Sequence, residues 1–194
     1  RLTEHADGYF TLLPVHRRTY SGSRVWGATE RVSVADFVRN YPEMKEKNMF
    51  GYEYRLGIIG TPPLFCLDGI GELQLERMRA DGITPFGVVE LSSGSYQAWI
   101  QLKSEDKTTS YRSWNSIMAY LEDKYGAKEK SSNKHHYFAL PGFLNYIEAH
   151  KGSLAKLQLT EGVSDIPMKR VIDIIAEIPG NIKRTSCPEV HTGD

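Results

Sequence analysis

The chain has 194 residues, 40% of them hydrophobic and 25% charged, which suits one globular domain or one with a small appendage. Its 24 Lys plus Arg balance 24 Asp plus Glu, which disfavours histone-like or tail-like DNA binding and means that any polyanion-binding surface must be local. With no uncharged apolar run of about 18 residues and no signal-peptide pattern, the chain reads as untargeted and cytoplasmic, without a membrane partner.

Two cysteines, Cys66 and Cys187, make neither a disulfide framework nor a CxxC metal site. A start at Arg1 and not at Met leads us to expect a piece of a longer protein. Tyr9 to Val15 and a following basic loop with Arg17, Arg18 and Arg24 predict two strands. Ser33 is placed to cap a helix whose apolar stripe is Ala35, Phe37, Val38 and Tyr41, running to Pro42 and, past a kink, to Asn48. Tyr52 to Ile59 alternates weakly, and Leu64 to Leu67 is a strand-length apolar run that ends on Asp68. Glu72 to Ala80 reads as a short helix stopped by Asp81-Gly82.

The clearest local signal is a β-hairpin, Phe86 to Leu91 and Tyr96 to Lys103 around Ser-Ser-Gly-Ser. In its second strand, alternation sends Tyr96, Ala98, Ile100 and Leu102 to the core, and Gln97, Trp99, Gln101 and Lys103 to the other face. A helix over Thr109 to Lys124 carries the stripe Trp114, Ile117, Met118 and Leu121, ended by Gly126. A basic stretch, a short strand from His136 to Leu140 and a Pro141-Gly142-Phe143 turn follow. Leu154 to Glu177 ends in a helix opening near Ser164-Asp165, with Met168, Val171, Ile172 and Ile175 on one side. Interleaved strands, hairpins and helices predict an α+β layer fold.

Three groups of residues invite a chemical reading. Gln97, Trp99, Gln101 and Lys103 on a rigid strand would offer stacking, hydrogen bonding and charge, the combination that single-stranded nucleic acid uses; the alternative is a Trp99 covered by a helix. Between Lys124 and His136 four lysines face the single acid Glu129, which suits phosphate contacts that release counterions, or a plain solvated loop. His135 and His136 would point to opposite sides of a strand and so make a poor metal pair. Asp68 at a strand end and Glu90 in an apolar strand are candidate Mg²⁺ ligands, with Glu72 nearby, although two-metal phosphoryl transfer needs two or three clustered carboxylates. Gly69 and Gly71 suit close approach of a phosphate or merely a strand-to-helix turn, and no Walker loop, nucleophile elbow or zincin helix is present.

Over residues 9 to 148 the order of segments resembles the RepB-type plasmid primases, relatives of the archaeo-eukaryotic primase superfamily. The likeness rests on Leu64-Phe65-Cys66-Leu67-Asp68, Val88-Val89-Glu90-Leu91-Ser92, Tyr96-Gln97-Ala98-Trp99 and the run His136 to Asn145 that contains Leu140-Pro141-Gly142-Phe143. It implies an RRM-like, primase-type sheet backed by helices, nucleic acid on that sheet, and Mg²⁺- or Mn²⁺-dependent primer synthesis. The departures concern the metal. The family's second aspartate falls on Gly69 and its third on Lys128, and two of its arginines fall on His135 and Ala139, whereas Ser131, Leu140 and Gly142 stand in place.

The resulting expectation is a primase-like domain over residues 1–150 of a plasmid or mobile-element replication protein, followed by a helical extension or the start of a second domain at 151–194. It would bind single-stranded DNA through Gln97, Trp99, Gln101, Lys103, Lys128, Lys130, Ser131, Lys134 and His135. Asp68 would be the remaining catalytic and metal position, with Glu90 as a second metal ligand, and primer synthesis would be weak or lost. Two alternatives stay open: an active primase with a rearranged Asp68, Glu90 and Glu72 site, or an interaction module using its C-terminal helix to dock a replication helicase or initiator.

Overall fold

The structure is a computed structural model that describes residues 9–17, 24–26, 30–59, 63–104, 110–127, 137–146, 152–159 and 164–177. Strand β1 (Tyr9–Arg17) is the spine of an antiparallel sheet and pairs with β2 (Arg24–Trp26), β3 (Glu30–Ser33) and β4 (Tyr52–Gly57). Helix α1 (Val34–Met49) joins β3 to β4. Its N-cap is the expected one: the Ser33 hydroxyl accepts from the Asp36 N–H at 3.0 Å, satisfying one orphan amide of the first turn. The helix runs through Pro42 to Met49.

At the end of α1, Asn48 is fully buried and fully used. Its amide donates to the carbonyls of Tyr52 at 2.6 Å and Leu144 at 3.0 Å, and its Oδ1 accepts from the Leu144 N–H at 2.7 Å. The Tyr146 hydroxyl donates to the Asn48 carbonyl at 2.6 Å. One side chain thus ties α1 to the segment after the Pro141-Gly142-Phe143 turn, where β9 (Leu144–Asn145) pairs with β10 (Ser153–Leu154).

The second sheet is built on the hairpin of β6 (Gly87–Ser92) and β7 (Ser95–Lys103), with β5 (Leu64–Ile70) on the far side of β7 and β11 (Lys156–Leu159) on the far side of β6, all antiparallel. A parallel member, β12 (Ser164–Pro167), lies beside the end of β7. One face packs on α2 (Glu72–Ala80), α3 (Tyr111–Tyr125) and α4 (Met168–Glu177), where Phe65, Leu67, Ala98, Ile100 and Leu102 meet Met78, Ile117, Met118, Leu121 and Val171. Trp114 stacks on Phe65 and donates its indole N–H to the Leu64 carbonyl at 3.2 Å, so a buried polar atom of α3 is satisfied by β5.

The other face of this sheet is also covered, by Leu12 and Leu56 of the first sheet, Met44 of α1, and Phe138, Leu140 and Phe143, with β8 (Phe138–Ala139) paired to β4. Both faces are therefore core, which corrects the expectation of an open strand surface. The α+β reading holds. The C-terminal helix opens at Met168 and not near Ser164, because Ser164 to Pro167 are held as a strand against β7. Residues 153–177, read from sequence as an extension or the start of a second domain, supply β10 to β12 and α4. Val171 is buried, and Ile172 and Ile175 pack on the same core as α2 and α3.

Candidate nucleic-acid interface

Register across the second sheet decides what its carboxylates can do. Asp68 of β5 and Val89 of β6 both stand opposite Gln97 of β7, whereas Glu90 stands opposite Tyr96. Cross-strand partners share a face and successive residues alternate, so Asp68 and Gln97 lie on the face that carries Cys66, Val89 and Trp99, and Glu90 lies on the opposite face. This corrects the pairing of Asp68 with Glu90 in one metal site: the pleat separates them. Glu90 instead has Lys156 of β11 at 3.7 Å. Glu72 is exposed in the first turn of α2.

Gly69 is the extra residue of a β-bulge. Asp68 pairs with Gln97 and Ile70 pairs with Tyr96, leaving Gly69 unmatched at φ +71°, where a residue without Cβ is at ease. The bulge returns Ile70 to the helix-packed face, and the strand ends there, two residues beyond Asp68. Burial pushes the Cys66 thiol well above its ordinary value, and the Asp68 carboxylate on the same face pushes it the same way. Among the described residues no three His, Cys, Asp or Glu side chains gather as a metal cluster. The donor set therefore does not fit a two-cation site.

The predicted stacking platform is corrected as well. Trp99 is 3% exposed and meets the edge of Phe138 with ring centroids 5.0 Å apart, and Gln97 is 2% exposed. A base cannot stack on a ring that sits in the core against Phe138, with Cys66 as its cross-strand partner. Further along the strand Gln101 is half-buried and Lys103 is exposed, so of the four outward candidates only these two stand near solvent. Lys128, Lys130, Ser131, Lys134 and His135 lie outside the described residues. Their flanks are well anchored. Gly126 caps α3 at φ +63°, and beyond the stretch the Arg55 guanidinium donates to the Tyr137 carbonyl at 3.4 Å.

Sequence reasoning missed two features. Glu53 and Arg55, two apart on β4, form a nearly buried ion pair, a spacing that puts them on one strand face and was legible in principle. The Oε1 of Gln97 is buried with no hydrogen-bond partner, and no local pattern announces that.

Residues 12–173 match the RepB DNA-primase N-terminal domain family. The chain belongs to that family. Over 120 residues this RepB-type chain is 30% identical to mobilization protein A of Escherichia coli, a match that takes in 61% of the chain but spans only 16% of that relative. Its fold resembles the catalytic domain of primase RepB′ solved in complex with initiator DNA, with TM-score 0.67, 22% identity and 90% of each chain covered. A second RepB′ structure matches at TM-score 0.68 and 23% identity over 90% of this chain and 60% of that one. The primase-polymerase domain of cyanophage S-2L matches at TM-score 0.63 and 13% identity, covering 90% and 92% of the two chains. The RepB-type fold thus accounts for the two sheets and their helices. Among the described residues no helix is long and apolar enough to cross a membrane.

Proposed function

We propose that this RepB-type domain serves a plasmid or mobile-element replication or mobilisation protein, that it binds single-stranded DNA, and that its primer synthesis is weak or lost. The observation that carries the loss of synthesis is the pleat that parts Asp68 from Glu90. Nucleotidyl transfer with two cations needs clustered carboxylates to offset the repulsion between phosphate oxygens, and here Gly69 and Lys128 stand where acids would add to that charge. DNA binding asks for less. Lys103 and Gln101 at the end of β7, with Lys128, Lys130, Ser131, Lys134 and His135, are the set we assign to phosphates, and a similar fold holds initiator DNA in RepB′. A helicase or initiator partner would have to dock elsewhere than on the apolar side of α4, which the chain's own core covers.

Fluorescence anisotropy with a single-stranded oligonucleotide over a salt series tests the binding half. Replacing Lys128 and Lys130 by Ala is expected to reduce the slope of log affinity against log salt by about 1.4, the contribution of two phosphate contacts to a single strand. Undetectable binding at low salt would end this reading. Primer synthesis with Mg²⁺ or Mn²⁺ tests the other half: product from the wild type that disappears in Asp68→Ala would replace it with an active primase.

A further inference from the structure

Between α1 and the first sheet lies a cavity of about 290 Å³, and none of its lining residues comes from the second sheet, which carries Asp68. It stands at the lower end of the range for small-molecule pockets, with room for one base or nucleoside. Register explains how it forms. Leu12 pairs with Glu30 and Pro14 with Tyr54, so β1, β3 and β4 present these side chains on one face, while α1 adds Phe37, Asn40, Met44 and Lys47 at the three- and four-residue spacing of one helix side. Leu12, Val32 and Met44 belong to the core. The other lining residues bring chemistry: Phe37, Tyr52 and Tyr54 supply rings, and Glu30, Glu43 and Lys47 supply charge. Those charges converge on one phenol, since burial pushes Tyr54 up, Lys47 pulls it down, and Glu43 and Glu30 push it up again. Lys47 is tied to Glu43 at 2.6 Å, whereas Glu30 is exposed and has no ion-pair partner among the described residues.

Aromatic walls with hydrogen-bonding groups beside them suit an unpaired base. An ionised glutamate only accepts, through two oxygens, and an ammonium only donates. Among the DNA bases, guanine alone sets two N–H donors side by side on its pairing edge, N1 and the N2 amine, with the O6 acceptor next to them. Adenine and cytosine place an acceptor beside their one amine, and thymine flanks its one N–H with carbonyls, so each would turn a lone pair toward the carboxylate. We infer that the cavity holds a single unpaired guanine, Glu30 accepting from its N1–H and N2 amine and Lys47 donating to its O6. This rests on the reading of the domain as a single-stranded DNA binder and deepens it. Lysine contacts to phosphates carry no sequence information, and a guanine pocket on the first sheet supplies it.

Two-dimensional ¹H–¹⁵N NMR of the whole chain, titrated in turn with the monophosphates of deoxyguanosine, deoxyadenosine, deoxycytidine and thymidine, tests the site without a DNA strand. The phosphate is common to all four, so any difference belongs to the base. The guanine nucleotide should shift the amides of Asn40, Tyr52 and Tyr54 and bind about tenfold more tightly than the other three. Glu30→Gln should abolish that preference, because the amide offers one acceptor where the carboxylate offered two. Asn40→Trp, an exposed position on the helix side, should fill the cavity and weaken all four nucleotides, which reads the site even if Glu30→Gln disturbs β3. Equal affinity for the four nucleotides, shifts confined to the second sheet, or a guanine preference that survives Glu30→Gln overturns the inference. A chain that binds no single-stranded oligonucleotide yet keeps the guanine preference at these amides would fault the DNA-binding half of the proposed function and leave the pocket standing.

Discussion

Asp81, the C-cap of α2, holds the end of α3 in place. It accepts from the Lys124 ammonium at 2.9 Å and from the Tyr125 hydroxyl at 2.9 Å, and Lys124 also lies over the rings of Tyr120 and Tyr125. Those hydrogen bonds, Lys124 first, hold the Asp81 carboxyl below its ordinary value near 3.8, while burial first and the bond to Asp81 second push the Tyr125 phenol up to about 12. A carboxyl whose folded pKa is depressed stabilises the fold above its unfolded value and loses that contribution as pH falls through the folded one. Asp81→Asn should therefore cost about 1 kcal/mol at neutral pH, a modest figure because the ion pair is part-exposed. In urea melts the gap to wild type should narrow progressively below pH 3.8. A gap that stays constant down to pH 2 would show that the charge is not what matters. Ser33 as an N-cap and Gly82 and Gly126 as helix stops could be read residue by residue, because each acts on its own turn of chain. Asn48 could not, since its partner Leu144 is 96 residues away.

At the scale of elements, β7 shows how far a periodic pattern reaches. Alternation sorted its residues correctly into two faces, and Ala98, Ile100 and Leu102 are core as expected. What alternation cannot state is whether the second face is also covered. A strand with Gln and Trp on one side looks amphipathic, yet here the first sheet supplies a second apolar layer over Trp99. Trp99 should consequently behave as a core residue. Trp99→Phe should lower stability by about 1–2 kcal/mol through incomplete filling, and should leave affinity for a single-stranded oligonucleotide within twofold. A tenfold loss of affinity in a variant that melts like wild type would restore the ring to the binding surface. The same strand separates Asp68 from Glu90. Each carboxylate was visible in sequence, but their faces depended on which residue of β7 each one meets, and register is a property of the pair of strands.

For the whole molecule, the tail of the described chain is part of the core. Strand β11 closes one edge of the second sheet, Ala155 is fully buried, and Met168 and Val171 complete the layer formed by α2 and α3. A chain cut after residue 150 should therefore lose cooperative unfolding and bind a hydrophobic dye, because the apolar surface under α4 would be bared. A truncated chain that melts at the wild-type midpoint would show residues 151–194 to be an appendage.

Local chemistry was enough to determine most strands and helices, their caps and stops, the α+β class and the likeness to RepB-type primases, since each of these follows from neighbours along the chain. Tertiary structure alone decided that Trp99 and Gln97 are enclosed, that Asp68 and Glu90 face apart, and that α4 closes the core. Those outcomes turn on which surfaces meet and in what register, and contacts between residues far apart in sequence leave no periodic trace in either segment.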